Sequence, residues 1–268
     1  MRNIASPFFV IARNLALILS LVKKEIKVKY SGSILGIIWA VIVPLVMLGV
    51  YTFVFSVVFQ SRWGALTESK SQFSLVLFAG LILFNLFSDS LSSSTYSIVG
   101  NENYVKKIVF PLEVLPVVSV LVVFFHFFLS FAVLLVFYLI VNGLPPITIF
   151  ITPFFLLLFL LFIIGISWIV SGLSVYLRDT SYFISILCSL LLFLSPIFYA
   201  VDSIPIEFRP ILSFNPLTPF IETFRGLVLF NKLPAACTVL FCLLFSLLSF
   251  YLGFYFFSKL KKGFADVI

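Results

Sequence analysis

The sequence is poor in charge and in the residues that usually perform chemistry. Only 10% of its 268 residues are charged, and it contains one histidine and three cysteines. A soluble domain needs far more surface charge, so the composition excludes a soluble globular protein. The ten acidic residues are scattered along the chain, which disfavours an enzyme built on clustered acids, histidines or metal ligands. We therefore predict no catalytic residues.

Nucleotide-binding and metal-binding motifs are also absent from the sequence. No Gly-x-x-x-x-Gly-Lys-Ser/Thr motif occurs, so the usual loop that binds ATP phosphates is lacking. Cys188, Cys237 and Cys242 lie within or beside apolar runs without metal-ligand spacing, and we expect inert thiols. The sequence thus predicts no cofactor and no metal in this chain. Energy for any transport comes from another subunit or from a gradient.

Long apolar runs dominate what is present. Hydrophobic residues make up 62% of the chain and the mean hydropathy is +1.25. A bilayer core takes roughly 20 apolar residues per helix. Six segments fit this length: 34–59, 73–98, 115–141, 149–176, 182–201 and 236–257. The predicted fold class is an all-α polytopic membrane protein with six transmembrane helices.

The distribution of Lys and Arg predicts the orientation. With both termini in the cytoplasm, twelve of the 17 basic residues fall on inner segments and five on outer segments. Positively charged loops stay cytoplasmic, so this orientation is favoured. The net charge of +7 then reflects topology and anionic lipid, and nucleic acid is not an expected partner.

The N-terminal region, residues 1–33, is predicted to contain an amphipathic helix from Pro7 to about Tyr30. Its apolar positions recur at helical spacing while basic residues occupy another side. Pro7 suits the first turn of a helix. Two hypotheses remain open for this helix: a topogenic anchor in the inner interface, or a helix that shapes the cytoplasmic mouth of a pathway. The apolar positions are Phe8, Ile11, Leu15, Ile18, Leu19, Val22 and Ile26.

The inner loop around 99–116 mixes charges with Tyr104, Val105, Ile108 and Phe110. We expect these apolar side chains to be exposed, which a simple solvated turn does not require. A short helix here would present an apolar and basic surface to a partner protein. The alternative is a helix that lies on the membrane surface.

Residues 196–226 are too apolar for an aqueous loop and too rich in proline for a span. A re-entrant pair of short helices at the outer leaflet fits, because non-spanning backbone at membrane depth must be sheltered by protein. Glu222 and Arg225, three residues apart, are predicted to pair on one helical face.

Polar groups inside the predicted spans are few. Asn85, Asp89, Ser92 and Tyr96 share one face of the second span, and such a stripe either packs against another polar helix or lines water. His126 lies within a run of phenylalanines, where a neutral histidine bonded to a neighbouring helix is the expected state.

Aromatic side chains are abundant, with 36 Phe, 10 Tyr and 3 Trp. Two groups lie at the outer ends of spans, where they form either ordinary interface belts or flat surfaces on which sugars stack. The first group is Tyr51, Phe55 and Phe59, and the second is Phe193, Phe198 and Tyr199.

Several motifs together resemble those of one family. They are 27–36 (KVKYSGSILG), 109–116 (VFPLEVLP), 175–179 (VYLRD), 195–199 (SPIFY) and 215–217 (NPL). The chain resembles, over nearly its whole length, the permease subunits of ABC-2 type exporters for cell-surface polysaccharides such as O-antigen, capsule and teichoic acid. Residues 34–268 are then similar to the ABC-2 transmembrane domain.

The resemblance implies a homodimer bound to two copies of a separate ATPase, which binds ATP and Mg²⁺. The substrate would be a lipid-linked polysaccharide crossing the bacterial inner membrane, and the chain itself would be a non-enzymatic, multi-pass permease. The N-terminal helix would be a gate, and the first and fifth spans would line the channel. By the same resemblance, the inner loop would couple to the ATPase through Glu102, Tyr104, Lys106, Lys107, Ile108 and Phe110.

Five basic residues have two possible roles. They either hold the positive-inside topology or attract the diphosphate of a lipid carrier. They are Lys23, Lys24, Lys27, Lys29 and Arg178.

Three other functions remain as alternatives. An ABC-2 permease for a drug or small lipid shares the fold, a gradient-driven carrier would depend on Asp89 or His126, and a polytopic glycan-modifying enzyme would show turnover on its own. The predicted channel lining under the favoured hypothesis is Tyr51, Phe55, Phe59, Asn85, Asp89, Ser92, Phe193, Phe198 and Tyr199.

Overall fold

The computed structural model describes residues 6–31, 33, 35–54, 70–106 and 110–267. Every regular element in these ranges is a helix. Five helical segments are long and apolar enough to cross a membrane, and they match five of the predicted spans within a few residues. These segments are Gly36–Val54, Gln72–Tyr96, Val114–Asn142, Ile147–Tyr176 and Ala236–Gly263.

The α-helices of the described residues are numbered along the chain. In order they are α1 (Pro7–Arg13), α2 (Leu15–Tyr30), α3 (Trp39–Tyr51), α4 (Lys70–Tyr96), α5 (Glu102–Val105), α6 (Val114–Asn142), α7 (Thr152–Tyr176), α8 (Thr180–Leu194), α9 (Arg209–Phe214), α10 (Leu217–Val228), α11 (Ala236–Leu260) and α12 (Phe264–Val267).

The predicted span 182–201 differs most from the structure. Its helix, α8, has 15 residues and ends at Leu194. Ser195 already has an extended backbone, and Pro196 follows it. Proline disfavours helical backbone in the residue before it and has no N–H to continue the ladder. The helix is therefore shorter than the roughly 20 residues of a full span.

The N-terminal amphipathic helix is broken into α1 and α2 at Asn14. The amide nitrogen of this side chain donates to the Val10 carbonyl over 2.8 Å, which competes with regular helical bonding. The apolar side chains of α2 also lie on two different sides of the helix. Ile18 and Leu21 are buried against the bundle, whereas Leu15 and Leu19 are at least half exposed, so a second apolar side is left for lipid.

Helix α4 is the centre of the bundle. In its most apolar stretch 83% of the residues are buried, compared with 11% in the segment that contains α3. Helices α6, α7, α8 and α10 pack around α4. The segment that contains α3 packs against α6 and α4, but most of its side chains face away from the bundle.

Two short helices, α9 and α10, lie between α8 and α11, as predicted for 196–226. Helix α10 buries most of its side chains, including Phe220, Phe224 and Arg225. Protein therefore shelters α10, whereas Phe208 and Phe214, before and within α9, are exposed.

Candidate functional site

A cavity of about 500 Å³ lies between α2, α3, α4 and α6. Helix α3 supplies mainly apolar and aromatic side chains, while α4 and α6 supply most of the polar ones. The lining residues that bear on function are Lys29, Tyr30, Trp39, Tyr51, Asn85, Asp89, Ser92, His126 and Ser130.

The polar stripe of α4 forms one wall of this cavity. Asn85 and Asp89 are exposed although they belong to the most enclosed helix of the bundle. They are accessible because their face of α4 is turned towards the cavity, which Ser92 also lines. Tyr96, the fourth member of the predicted stripe, is 64% exposed and is not part of the lining.

His126 connects the cavity to the N-terminal helix. In the Nε2–H tautomer, the Tyr30 hydroxyl donates to Nδ1 of His126 over 2.9 Å. The expectation that His126 is bonded to a neighbouring helix is confirmed, and the partner is α2. Within the described residues, Nε2 of His126 is buried without a hydrogen-bond partner.

One end of the bundle is fastened by Glu113, which precedes α6. Its carboxylate is paired with Lys261, directly after α11. Its backbone carbonyl accepts the indole N–H of Trp168 on α7 over 2.9 Å. The α4–α6 loop therefore shares an end of the bundle with the C-terminal ends of α7 and α11. These two contacts of Glu113 were not predicted from the sequence, where an acidic residue between Pro111 and Pro116 is the only signal for them.

Arg225 is the most connected side chain near α10 and is only 1% exposed. Its Nε donates to the Val76 carbonyl of α4 over 2.9 Å, and its Nη2 donates to the Ile197 carbonyl over 3.0 Å. Nη1 donates to the Pro196 carbonyl and, over 3.0 Å, to Glu222. The predicted pairing of Glu222 with Arg225 is confirmed, while the bonds to α4 and to the turn after α8 were not foreseen.

A second polar contact joins the same turn to α10. Nδ2 of Asn215 donates to the Ser195 hydroxyl over 2.8 Å, and Oδ1 of Asn215 accepts the backbone N–H of Leu217 over 2.9 Å. Asn215 and Ser195 are 20 residues apart in sequence. Their contact brings the motifs 195–199 and 215–217 together beside Arg225.

Comparison with known proteins identifies the family. Residues 16–229 match the family model described as ABC-2 type transporter. The chain belongs to the ABC-2 type transporter family. Two proteins named O-antigen export system permease protein RfbA, from Klebsiella pneumoniae, are each 30% identical to it over 254 residues, which is 94% of this chain and 95% of the relative. A protein of the same name from Myxococcus xanthus is 28% identical over 222 residues, covering 82% and 83% of the two chains. The resemblance inferred from the motifs is confirmed.

In this ABC-2 chain, the predicted coupling loop forms the short helix α5. Glu102 and Lys106 are exposed and form an ion pair of 3.5 Å. The Tyr104 and Phe110 rings stack with centroids 4.4 Å apart. The expectation that Tyr104, Val105 and Phe110 are exposed needs correction, because all three are half-buried and pack against the core.

Among the described residues of this loop from Glu102 onward, the exposed side chains are polar: Glu102, Asn103 and Lys106. Val99, at the start of the loop, is also exposed. Lys107 and Ile108, which were also predicted to take part, lie outside the described residues. The role of the loop in docking stays a prediction.

The predicted channel aromatics of the ABC-2 chain do not gather at one place. Tyr51 lines the cavity, whereas Phe193, Phe198 and Tyr199 cluster at the end of α8. There the Tyr199 hydroxyl donates to the Phe193 carbonyl over 2.8 Å, and the Phe193 ring is 68% exposed. Phe55 and Phe59 lie outside the described residues.

The predicted lipid-diphosphate residues are all exposed but are divided between two places. Lys23, Lys24, Lys27 and Lys29 lie on α2, and Arg178 lies in the turn between α7 and α8. Of these five, Lys29 lines the cavity. Burial raises the pKa of the neighbouring Glu25 carboxyl, an effect that the positive charge of Lys24 opposes.

Proposed function

We propose that this chain is the permease subunit of an ATP-driven exporter that moves a lipid-linked, O-antigen-like polysaccharide across the bacterial inner membrane. The observation that carries the proposal is the match, over 94% of the chain, to permeases named for O-antigen export. ATP and Mg²⁺ are bound by a separate ATPase subunit. The permease itself performs no catalysis.

In this proposal the chain crosses the membrane six times, with both termini in the cytoplasm. Helix α8 is the fifth crossing. At about 1.5 Å per residue, its 15 residues cover roughly 22 Å of a bilayer core of about 30 Å. Helices α9 and α10 complete the outer end as a re-entrant pair. The excess of Lys and Arg on the inner segments supports this orientation.

The working unit is proposed to be a homodimer with two ATPase copies. Support comes from α3, whose segment has only 11% of its apolar stretch buried within the chain. A second copy that covers α3 and the exposed side of α8 would enclose a path between the two subunits. Lipid would cover the remaining apolar surface.

The route from ATP to the cavity follows from chain connectivity. The coupling loop with α5 joins α4 to α6, and both helices form walls of the cavity. A push from the closing ATPase dimer on this loop would therefore shift the cavity walls as a rigid body. Asn85, Asp89 and Ser92 would offer hydrogen bonds to sugar hydroxyls, and Tyr51 would offer a stacking surface.

The overall function is tested by reconstitution. The permease is co-expressed with the ATPase encoded beside it, purified and placed in proteoliposomes with lipid-linked polysaccharide. We expect a stoichiometric ATPase and ATP-dependent appearance of the glycan on the opposite side. Absence of any bound ATPase from an intact permease would contradict the proposal.

A charge-swap variant tests the coupling loop without unfolding it. Glu102→Lys combined with Lys106→Glu keeps the exposed ion pair, with only a small cost for reversing its direction on the helix. It reverses the charges presented to the ATPase, so we expect association to weaken at least about tenfold. The measurement is ATPase binding to the purified permease.

The matched control is Lys232→Glu, which also reverses a charge. Lys232 is exposed and lies shortly before α11, at the end of the bundle remote from α5. We expect this control to bind the ATPase normally. Equal binding by the charge-swap variant and the control would remove α5 from the docking surface.

The basic side of α2 is tested by Lys27→Glu. If this lysine attracts the carrier diphosphate, export should fall about tenfold or more, because a charge-assisted hydrogen bond contributes about 1.5–3 kcal/mol. ATPase binding should stay intact. Unchanged glycan export would leave the α2 lysines as positive-inside anchors.

A gradient-driven carrier is the second candidate, favoured by the presence of Asp89 and His126 in one cavity. Ionisable groups that line a cavity between membrane-spanning helices serve as ion relays in carriers. Such a carrier would transport without ATPase under an imposed proton gradient and would stop on Asp89→Asn. An ABC-2 permease for a drug or small lipid would instead need ATP but would not export the polysaccharide.

A further inference from the structure

The C-terminal end of α2 is attached to the bundle by a single described hydrogen bond. It joins the Tyr30 hydroxyl to Nδ1 of His126 over 2.9 Å. The two rings also meet edge to face, with centroids 5.7 Å apart. Lys29, the preceding residue, lines the same cavity as Asp89.

The N-terminal half of α2 is attached differently. Ile18 is fully buried and Leu21 is 9% exposed, so this half is held by apolar packing. Beyond Leu21, the four lysines of α2 are exposed. Val22 and Ile26 add partly buried apolar contacts, so α2 is held by apolar packing along its inner side and by the Tyr30 hydrogen bond at its end.

A glycine with left-handed backbone lies between α2 and α3. Gly36 has a φ of +52°, and a Cβ atom at this position would meet nothing within 4 Å. Glycine adopts this left-handed conformation without the steric cost that other residues incur. Because most side chains of the segment that contains α3 are not buried within the chain, a rotation at Gly36 would disturb few buried side chains.

We propose that Tyr30 and His126 form a latch that holds the end of α2 across one mouth of the cavity. Opening the latch lets α2 pivot on Ile18 and Leu21 while α3 turns at Gly36, and this widens the cavity between α3, α4 and α6. The latch is a conformational device, and Tyr30 and His126 are positioning residues. Its role as a gate for the glycan rests on the proposed function, whereas the latch itself does not.

The test is the reactivity of a thiol placed beyond the latch. Ser130→Cys is introduced on the cavity side of α6, one turn after His126, in a background where Cys188, Cys237 and Cys242 are replaced by alanine. The permease–ATPase complex in nanodiscs is labelled with a water-soluble maleimide. With Tyr30→Phe, we expect the labelling rate to rise roughly three- to tenfold, the range set by loss of one hydrogen bond that holds a closed state.

Tyr182→Phe is the matched control, since Tyr182 is 73% exposed and loses the same hydroxyl. It should leave labelling unchanged. An unchanged rate with Tyr30→Phe, or an equal rise with both variants, would overturn the latch. Thermal unfolding of each variant is measured alongside, and the latch predicts faster labelling of Tyr30→Phe without general loosening of the bundle.

A double-mutant cycle shows whether the two residues act through one bond. His126→Leu should raise labelling as much as Tyr30→Phe does, and the combination should add nothing further. His126→Asn keeps an acceptor near the position of Nδ1 and should restore slow labelling. Additive increases would contradict a shared latch.

The proposed function is tested separately by ATP-dependent glycan export. If the complex shows the predicted labelling rates and yet exports no glycan, that result would retain the latch and reject the polysaccharide as the substrate. ATP-dependent glycan export, combined with a labelling rate that Tyr30→Phe does not change, would retain the proposed function and reject the latch.

Discussion

Arg225→Ala is expected to destabilise the permease by about 3 kcal/mol or more. The change leaves buried carbonyls of Val76, Pro196 and Ile197 without the guanidinium that bonds them. Each buried polar group that loses its partner costs roughly 1–3 kcal/mol. The measurement is the thermal unfolding midpoint of the detergent-solubilised permease, followed by size-exclusion chromatography after heating.

Arg225→Lys separates charge from geometry. A lysine retains the positive charge, but its ammonium is a compact group on a flexible stem and cannot reach acceptors on three sides as the planar guanidinium does. We therefore expect a midpoint between those of wild type and Arg225→Ala. A lysine variant as stable as wild type would mean that charge alone supports α10.

Arg13→Ala is the control for the loss of an arginine side chain. Arg13 is exposed at the end of α1, and exposed substitutions usually change stability by no more than about 0.5 kcal/mol. If Arg13→Ala lowered the midpoint as much as Arg225→Ala, the buried hydrogen bonds around α10 would not explain the loss.

The helices of this protein could be predicted because their signal is local. An apolar run of sufficient length is visible in sequence, and α4, α6, α7 and α11 appear within a few residues of the predicted spans. Proline marked the broken segment 196–226, in which α9 is short, for the same reason. Helix α8 was predicted too long, since the apolar run continues past Pro196 although the helical backbone ends before it.

The connections between distant residues could not be predicted from local patterns. Arg225 and Val76 are 149 residues apart, and Glu113 and Lys261 are 148 apart. In the cavity, the face shared by Asn85, Asp89 and Ser92 followed from helical spacing. The contribution of Tyr30 did not, because it depends on how α2 lies against α6.

Helices α7 and α11 make the most extensive helix pairing of the described residues, and they approach closely at small residues. A Cβ atom added at Gly253 would overlap the carbonyl of Gly165, and one added at Gly165 would overlap the backbone of Ser249. The Ser249 hydroxyl donates to the Phe162 carbonyl over 3.0 Å. Small residues four apart let membrane helices pack backbone to backbone.

Gly253→Ala should therefore force α7 and α11 apart and destabilise the permease by about 2–3 kcal/mol, the upper part of the usual range of about 1–3 kcal/mol for overpacking. Because the obstacle is backbone, no side chain can move aside to relieve it. Gly253→Leu should prevent recovery of the folded permease altogether. The measurement is again the thermal midpoint, together with the yield of monodisperse protein.

The matched control is Gly49→Ala on α3, where an added Cβ would meet nothing within 4 Å. Alanine favours a helix over glycine by roughly 1 kcal/mol, so this variant should be as stable as wild type or slightly more stable. The two substitutions add the same methyl group to spanning helices, and only their surroundings differ. If both variants lower the thermal midpoint equally, the effect comes from the loss of glycine itself. If only Gly253→Ala lowers it, the tightest helix contact lies at the crossing of α7 and α11.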